Sequence, residues 1–409
     1  MKPFYLLILL ALLLVSCKQQ NAKRLPVMGW EELVIPAANN SHLGRLQATG
    51  DALYFSWVQS EDRMDSLFYS AYSKGEWKQA VPVSNGDDWF VNWADFPAIS
   101  ANGDKVLTNL LVKSDTGTYT YDVQLNLLQA DTLMKAPFIL HNDGTKSEHG
   151  FVSLLPWKDG FFATWLDGRN TAGGHHGHDG HGSGGAMTLR GAFIGVNGTI
   201  SQDTQLDERI CDCCQTAAAL LPDGIIVAYR DRTKDEIRDI SVVKYTEGLG
   251  WSTPEAISGD NWQIAGCPVN GPSLSSLGHQ VALAWFSAPE GEGKVKVKYS
   301  EDGGNSFGDP IRLDGGFANG RVDVQWIDQQ RLAVLWMEPK AEQDGLMLKI
   351  LTAAGETLEI HHIATMDPSR ASGFPQLELF ENQLYVAWTD VGAQGKGAQI
   401  RMKRLNVAQ

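Results

Sequence analysis

Cysteine is scarce in this sequence, with 5 among 409 residues, which excludes a small disulfide-dense scaffold. Cations are in deficit as well, 34 Lys and Arg against 48 Asp and Glu, for a formal net charge of −14. General nucleic-acid binding needs clustered cations to displace counterions, so that class is excluded. Beyond the first residues no apolar run is long enough to span a bilayer, and helical periodicity is nearly missing. What is present is apolar and turn-rich: 43% hydrophobic residues, 42 Gly and 13 Trp. Such a chain is too apolar to be disordered and can bury one large core or two to three small ones.

The N-terminus is an address. Lys2 precedes an apolar run from Phe4 to Val15 that ends in Leu14-Val15-Ser16-Cys17. A basic start and a short apolar core make a signal peptide rather than a membrane span. The ending resembles a bacterial lipobox, which implies cleavage at residue 16 and a lipid on Cys17. Residues 1–16 are then the lipoprotein signal peptide, 17–27 a tether and 28–409 the folded domain. The expected location is the cell envelope, outside the cytoplasm at the outer membrane, with the lipid as sole membrane contact.

An aliphatic strand ending in an aromatic recurs along the chain. It reads Tyr54-Phe55-Ser56-Trp57, Phe162-Ala163-Thr164-Trp165, Ile226-Val227-Ala228-Tyr229, Ala282-Leu283-Ala284-Trp285, Ala333-Val334-Leu335-Trp336 and Val386-Ala387-Trp388, with a weaker copy from Val106 to Leu111. Copies roughly 51 to 64 residues apart indicate a propeller or an array. A third alternating strand follows each. The pattern predicts an all-β propeller of seven blades, each of four antiparallel strands. Inner strands are expected near residues 43, 96, 150, 215, 272, 321 and 373. The last repeat lacks an outer strand, which Trp30 to Pro36 can supply, removing an exposed edge. Six blades is the alternative if the weak second repeat is an insertion.

Ser300-Glu301-Asp302-Gly303-Gly304-Asn305-Ser306-Phe307 resembles the Asp-box turn of the sialidase superfamily, with Ser300, Asp302, Gly304 and Phe307 in the structural positions. Degenerate copies lie at Tyr245–Trp251 and Ser73–Trp77. The resemblance implies a propeller; the turn itself is structural, so fold alone does not give function. Sialidases hold a carboxylate with three arginines, attack with a tyrosine and protonate with an aspartate. Here Gly44-Arg45-Leu46-Gln47 lacks the family's Arg-Ile-Pro, and Phe374 stands where the tyrosine is expected.

Loops entering inner strands and loops leaving second strands share one face of a propeller; the Asp-box turn lies on the other. Glu148-His149, Arg209 to Cys214, Gly266-Cys267-Pro268, Arg321 to Asp323 and Ser369-Arg370 enter inner strands. Asp167-Gly168-Arg169 and Arg230-Asp231-Arg232 leave second strands. Their convergence on one rim is where a site is expected, with ion pairs between blades as the competing explanation. Arg169, Arg230, Arg232, Arg238, Arg321, Asp323 and Arg370 are the candidate ligand-binding residues, because guanidinium forks suit carboxylates. In an exo-sialidase-type hydrolase Asp167, Asp231 or Glu236 would be the catalytic carboxylates. The expected partner is an anionic glycan or a protein ligand, bound by a monomer.

Cys211, Cys213, Cys214 and Cys267, with His175, His176, His178 and His181 in the glycine-rich loop from Thr171 to Ala186, form a second group on that rim. Thiolates and imidazoles suit copper or zinc. The rival reading is envelope disulfides, such as Cys214 with Cys267.

Overall fold

The computed structural model describes residues 29–171, 185–340, 343–392 and 397–408. They form seven antiparallel sheets. The inner strands are Ser41–Ala48, Ile99–Asn102, His149–Trp157, Ala217–Leu221, Ser273–Leu277, Gly320–Trp326 and Gln376–Phe380. The protein is a seven-bladed β-propeller. Its described helical content is three 3-10 turns of three residues each. The weak second repeat is a true blade: Val106 to Leu111 lie buried within the strand Lys105–Lys113, although no aromatic ends it. In blades one, two and four the outer strand is split into two short pieces that pair with the same third strand.

The ring closes through the N-terminal segment. Glu31 pairs with Arg404 and Glu32 with Lys403, and Leu33 N–H donates to Met402 O at 2.9 Å. Trp30 packs on the core between blades six and seven, while Leu33, Ile35 and Ala37 pack on that between seven and one. The exposed ion pairs Arg401–Glu32 and Arg404–Glu31 add little beside that apolar burial.

Second strands are covered on both faces by neighbouring sheets, so Gly160–Asp167 and Gly224–Arg230 are buried at every residue. The recurring aromatics Trp57, Trp165, Trp285 and Trp336 fill these interfaces. A buried indole N–H usually finds an acceptor; that of Trp57 has none, but the other three do. Trp165 donates to Asp167 at 2.9 Å, Trp336 to Glu338 at 2.8 Å and Trp285 to Asp260 at 2.7 Å. A carboxylate two residues after the aromatic is thus a structural device at Asp167 and Glu338.

Inner strands of blades one, three and six open with the same irregularity. Register slips between His42 and Arg45, Gly150 and Ser153, and Gly320 and Asp323. Leu43, Phe151 and Arg321 take φ of 54°, 53° and 53° there. Such bulges re-aim the next side chains, and Arg45, Ser153 and Asp323 line the central channel with Asp95, Gln215 and Glu378. Arg45 lies over Phe96 at 4.1 Å; burial draws its pKa down to about 10 and pushes Glu378 up to about 8.

The Asp-box turn sits at the other end of the blades. Asp302 Oδ1 accepts from Asn305 and Ser306 N–H at 3.0 and 2.9 Å, and Ser300 Oγ from Gly304 N–H at 2.8 Å. Gly303 N–H reaches His279 O in the turn between the first two strands of its blade. Gly304 has φ 75°, and a Cβ there would meet Ile226 at 2.6 Å.

Candidate functional site

The loop from blade one to blade two crosses the channel mouth on the opposite face from the Asp-box. Asp95 Oδ1 accepts from Phe151 N–H at 2.6 Å, and Gln215 Nε2 donates to Ala94 O at 2.8 Å. Trp93 stacks on Phe374 of blade seven at 5.6 Å. Gly150 lets this loop descend, since a Cβ there would sit 1.9 Å from Asp95 Oδ2.

Beside the loop Tyr121 opens the third strand of blade two. Its hydroxyl donates to Glu148 Oε1 at 2.6 Å and lies 3.4 Å from Asp95 Oδ2. Burial pushes Glu148 up to about 8, against the Tyr121 bond and with help from the charges of Asp95 and Asp212. Burial likewise takes Asp95 to about 7. Two carboxyl groups on this rim therefore hold protons near neutral pH. Glu148 is half-buried and Tyr121 fully buried. Asp95 is buried as well, so of the two carboxyl groups Glu148 is the one that reaches the surface.

On the blade-four side a charged network forms between Arg232, Glu236, Arg238 and Asp212. Arg232 Nη2 meets Glu236 at 2.8 Å and its Nη1 meets Asp212 at 2.8 Å; Arg238 Nη2 meets Glu236 at 2.9 Å. Beneath it Arg238 Nη1 donates to Cys211 Sγ at 3.2 Å. Cys211 and Cys214 are free thiols with sulfurs 2.7 Å apart. Burial alone would raise Cys211, but the bond from Cys214 and the Arg238 charge hold it at about 7. Cys213 is bonded to Cys267. That corrects the Cys214–Cys267 pairing expected as the rival to metal. It also takes Cys213 and Cys267 out of the expected set of metal ligands, because a bonded sulfur has no thiolate to give. His175, His176, His178 and His181 lie outside the described residues.

The expected ligand-binding arginines divide sharply. Arg230, 2% exposed, makes all four of its side-chain hydrogen bonds to backbone: Asn270 O at 2.8 and 2.9 Å, Arg238 O at 2.6 Å and Phe286 O at 2.6 Å. Arg321 donates to Ser372 Oγ at 2.5 Å, Gly373 O at 2.9 Å and Ser369 O at 3.0 Å. These two staple blade four to five and blade six to seven. Asp323 is held in the channel wall by Ser273 Oγ at 2.7 Å and Leu377 N–H at 2.8 Å. Arg169 is forked on Asp167, at 2.7 and 2.8 Å. Arg370 is exposed and lies 5.8 Å from the Trp93 ring; among the described candidate arginines it is the one open to an incoming anion at the mouth.

The expected acids divide too. Burial would raise Asp167, but Arg169 and its other donors bring it below the ordinary carboxylate value. Burial would raise Glu236 as well, and Arg232 and Arg238 overcome it. Both are therefore ionised and pinned. Asp231, raised to about 6 by burial, accepts from Arg232 N–H and Ser241 Oγ. Sequence reasoning placed Glu148 and His149 on this rim, but missed Asp95, Tyr121, Asp122, His141 and Asp143. Phasing blade two as the other blades were phased would have found Tyr121 and Asp122 at the start of its third strand.

No protein-family model matches the chain, and no curated protein matches it. Solved structures do share its fold. An ulvan lyase of polysaccharide-lyase family PL25 is 11% identical with a TM-score of 0.55, covering 91% of this chain and 95% of that one. The polysaccharide lyase Uly1 is 9% identical with a TM-score of 0.54, covering 89% of each chain. The hemagglutinin-neuraminidase of parainfluenza virus 5 is 8% identical with a TM-score of 0.53, covering 93% of this chain and 95% of that one. The chain has a sialidase-like β-propeller fold.

Proposed function

We propose that the protein is a glycan-active propeller that takes an acidic polysaccharide across the rim of blades two to four and seven, with Glu148 as the proton donor. One observation carries this reading: a half-buried glutamic acid, held near pKa 8 and oriented by Tyr121, stands beside the channel mouth. Glycosidic cleavage needs an acid that still owns its proton at working pH. Arg370 supplies the cation for a carboxylate or sulfate, and Trp93 beneath it an aromatic face,. Structural neighbours of this fold include polysaccharide lyases and a neuraminidase, which supports a sugar ligand. The test is incubation with uronate-, sulfate- and sialate-bearing polymers and a fluorogenic sialoside, with neutral polymers as controls. New chain ends from an acidic polymer are expected. Binding without cleavage would remove the proton-donor role, and no binding to any acidic polymer would overturn the proposal.

Display outside the cytoplasm through a lipid on Cys17 belongs to the same proposal. The Cys213–Cys267 bond supports it, because such bonds persist in oxidising compartments,. A second reading, capture of a soft metal such as Cu(I), is favoured by the adjacent free thiols of Cys211 and Cys214,. Loss of bound copper on substituting both with serine would support it; unchanged copper content would dismiss it.

A further inference from the structure

We propose a second, independent metal site between blades two and three, in which Asp122, His141 and His149 bind one borderline divalent cation such as Zn²⁺ or Cu²⁺. Asp122 lies on the third strand of blade two, Tyr121–Gln129, and His141 just beyond the outer piece Phe138–Ile139. His149 opens the inner strand of blade three. The imidazole rings of His141 and His149 stack with centroids 3.6 Å apart and planes 11° apart, so one ring has to turn about its Cβ–Cγ bond for both in-plane lone pairs to meet one ion. Asp122 Oδ1 is 3.8 Å from His141 Nε2 and 3.9 Å from His149 Nδ1. These gaps are too wide for hydrogen bonds. They are smaller than twice a metal–ligand distance of about 2.0–2.2 Å, so a single ion can touch both atoms of each pair. The three ligand atoms lie within 4.8 Å of one another.

Two further observations point to a missing ligand rather than to packing. Asp122 Oδ1, the oxygen nearest both rings, is buried without a hydrogen-bond partner, and the His141 side chain beside it is 3% exposed. Buried polar atoms are seldom left so. The far nitrogens of both rings also face one carboxylate: Asp143 lies 2.8 Å from His149 Nε2 and 3.5 Å from His141 Nδ1. Imidazole bound to a metal commonly donates its other N–H to a carboxylate, which fixes the tautomer and aims the lone pair at the ion. The remaining polar contacts are long, Tyr121 O to His149 at 3.3 Å and Val123 N–H to His141 at 3.4 Å.

The charge balance agrees. Asp122, Asp143 and Asp167 surround the rings, and Arg169 reaches Asp143 at 3.3 Å and Asp167 at 2.7 Å. Three carboxylates against one guanidinium leave the negative surplus that a divalent cation would neutralise. Two nitrogens and one oxygen suit Zn²⁺ or Cu²⁺ better than Ca²⁺ or Mg²⁺, which prefer oxygen throughout. The ion would tie the strand carrying Tyr121 to the one preceded by Glu148.

The test loads the metal-stripped mature protein with Zn²⁺, counts bound metal per chain, and repeats the loading with Co²⁺ to read its visible absorption. The Cys211→Ser, Cys214→Ser chain should retain one equivalent lost in Asp122→Asn and in His141→Ala, with affinity lowered at least tenfold in each. Asp143→Asn should weaken binding by about 10–100-fold without abolishing it. If His141→Ala does not fold, Asp122→Asn, which keeps the shape of the side chain, decides the matter. An Asp122→Asn chain that takes up Zn²⁺ and Co²⁺ like its parent overturns the site.

Discussion

Replacing Arg230 by methionine separates a structural arginine from a ligand-binding one. The substitution keeps an apolar stem against Trp262, whose ring lies 5.0 Å from the guanidinium, and deletes every donor. Three carbonyls then lose their partner: Asn270, Arg238 and Phe286. A buried acceptor left unpaired costs about 1–3 kcal/mol, and relief from burying a charge offsets part of the sum. The expected loss is about 3–5 kcal/mol, a large share of a typical stability of about 5–15 kcal/mol. In urea the midpoint should fall while the slope stays constant. Arg230→Lys should fall between, because an ammonium cannot reproduce the fork. Retention of acidic polymer by the still-folded fraction should be unchanged. A loss below about 1 kcal/mol, or weakened polymer binding at parental stability, would refute the staple.

Two more perturbations test other parts of the account. Cys213→Ser should lower stability by about 2–4 kcal/mol, as loss of a bond spanning 54 residues implies,; a denaturation midpoint equal to the parent's would show the pairing to be wrong. Asp302→Ala should cost about 0.5–2 kcal/mol, as loss of a capping oxygen does, and leave polymer binding intact. Binding lost from a folded Asp302→Ala chain would place the Asp-box on the functional face.

Much of the architecture was legible because burial in a propeller is periodic. Trp57, Trp165, Trp285 and Trp336 mark strands covered on both faces, so their spacing counts blades directly. The closing segment was legible because Trp30 copies the start of other outer strands. Blade two was faint because Leu110 and Leu111 fill the space without an aromatic. The site was harder to read for a different reason. Charge pattern shows where an arginine lies along the chain but not what accepts from it. Arg230 and Arg321 face backbone carbonyls brought in largely by the next blade, whereas Arg370, in an equally plain sequence, faces solvent. Likewise, cysteines three residues apart give no indication of which sulfur meets Cys267. Glu148 looks ordinary in sequence; its perturbed pKa comes from burial, with Asp95, far away along the chain, brought close by the fold.

The proton on Glu148 is the centre of the account. Its folded pKa of about 8 lies above the ordinary glutamate value of 4.5, so the folded protein holds a proton that the unfolded chain releases. Its contribution to stability is therefore complete below about pH 4.5 and declines as pH rises from there through about 8, and the proposed proton donor is lost as pH passes about 8,. The direct measurement is cleavage of an acidic polysaccharide across pH 5 to 10 by the parent and by Glu148→Gln. The parental rate should fall above about pH 8, and the glutamine variant should bind the polymer but cleave it at least about a hundredfold more slowly. A Glu148→Gln chain that cleaves at the parental rate with the same alkaline limb would contradict the proton-donor role.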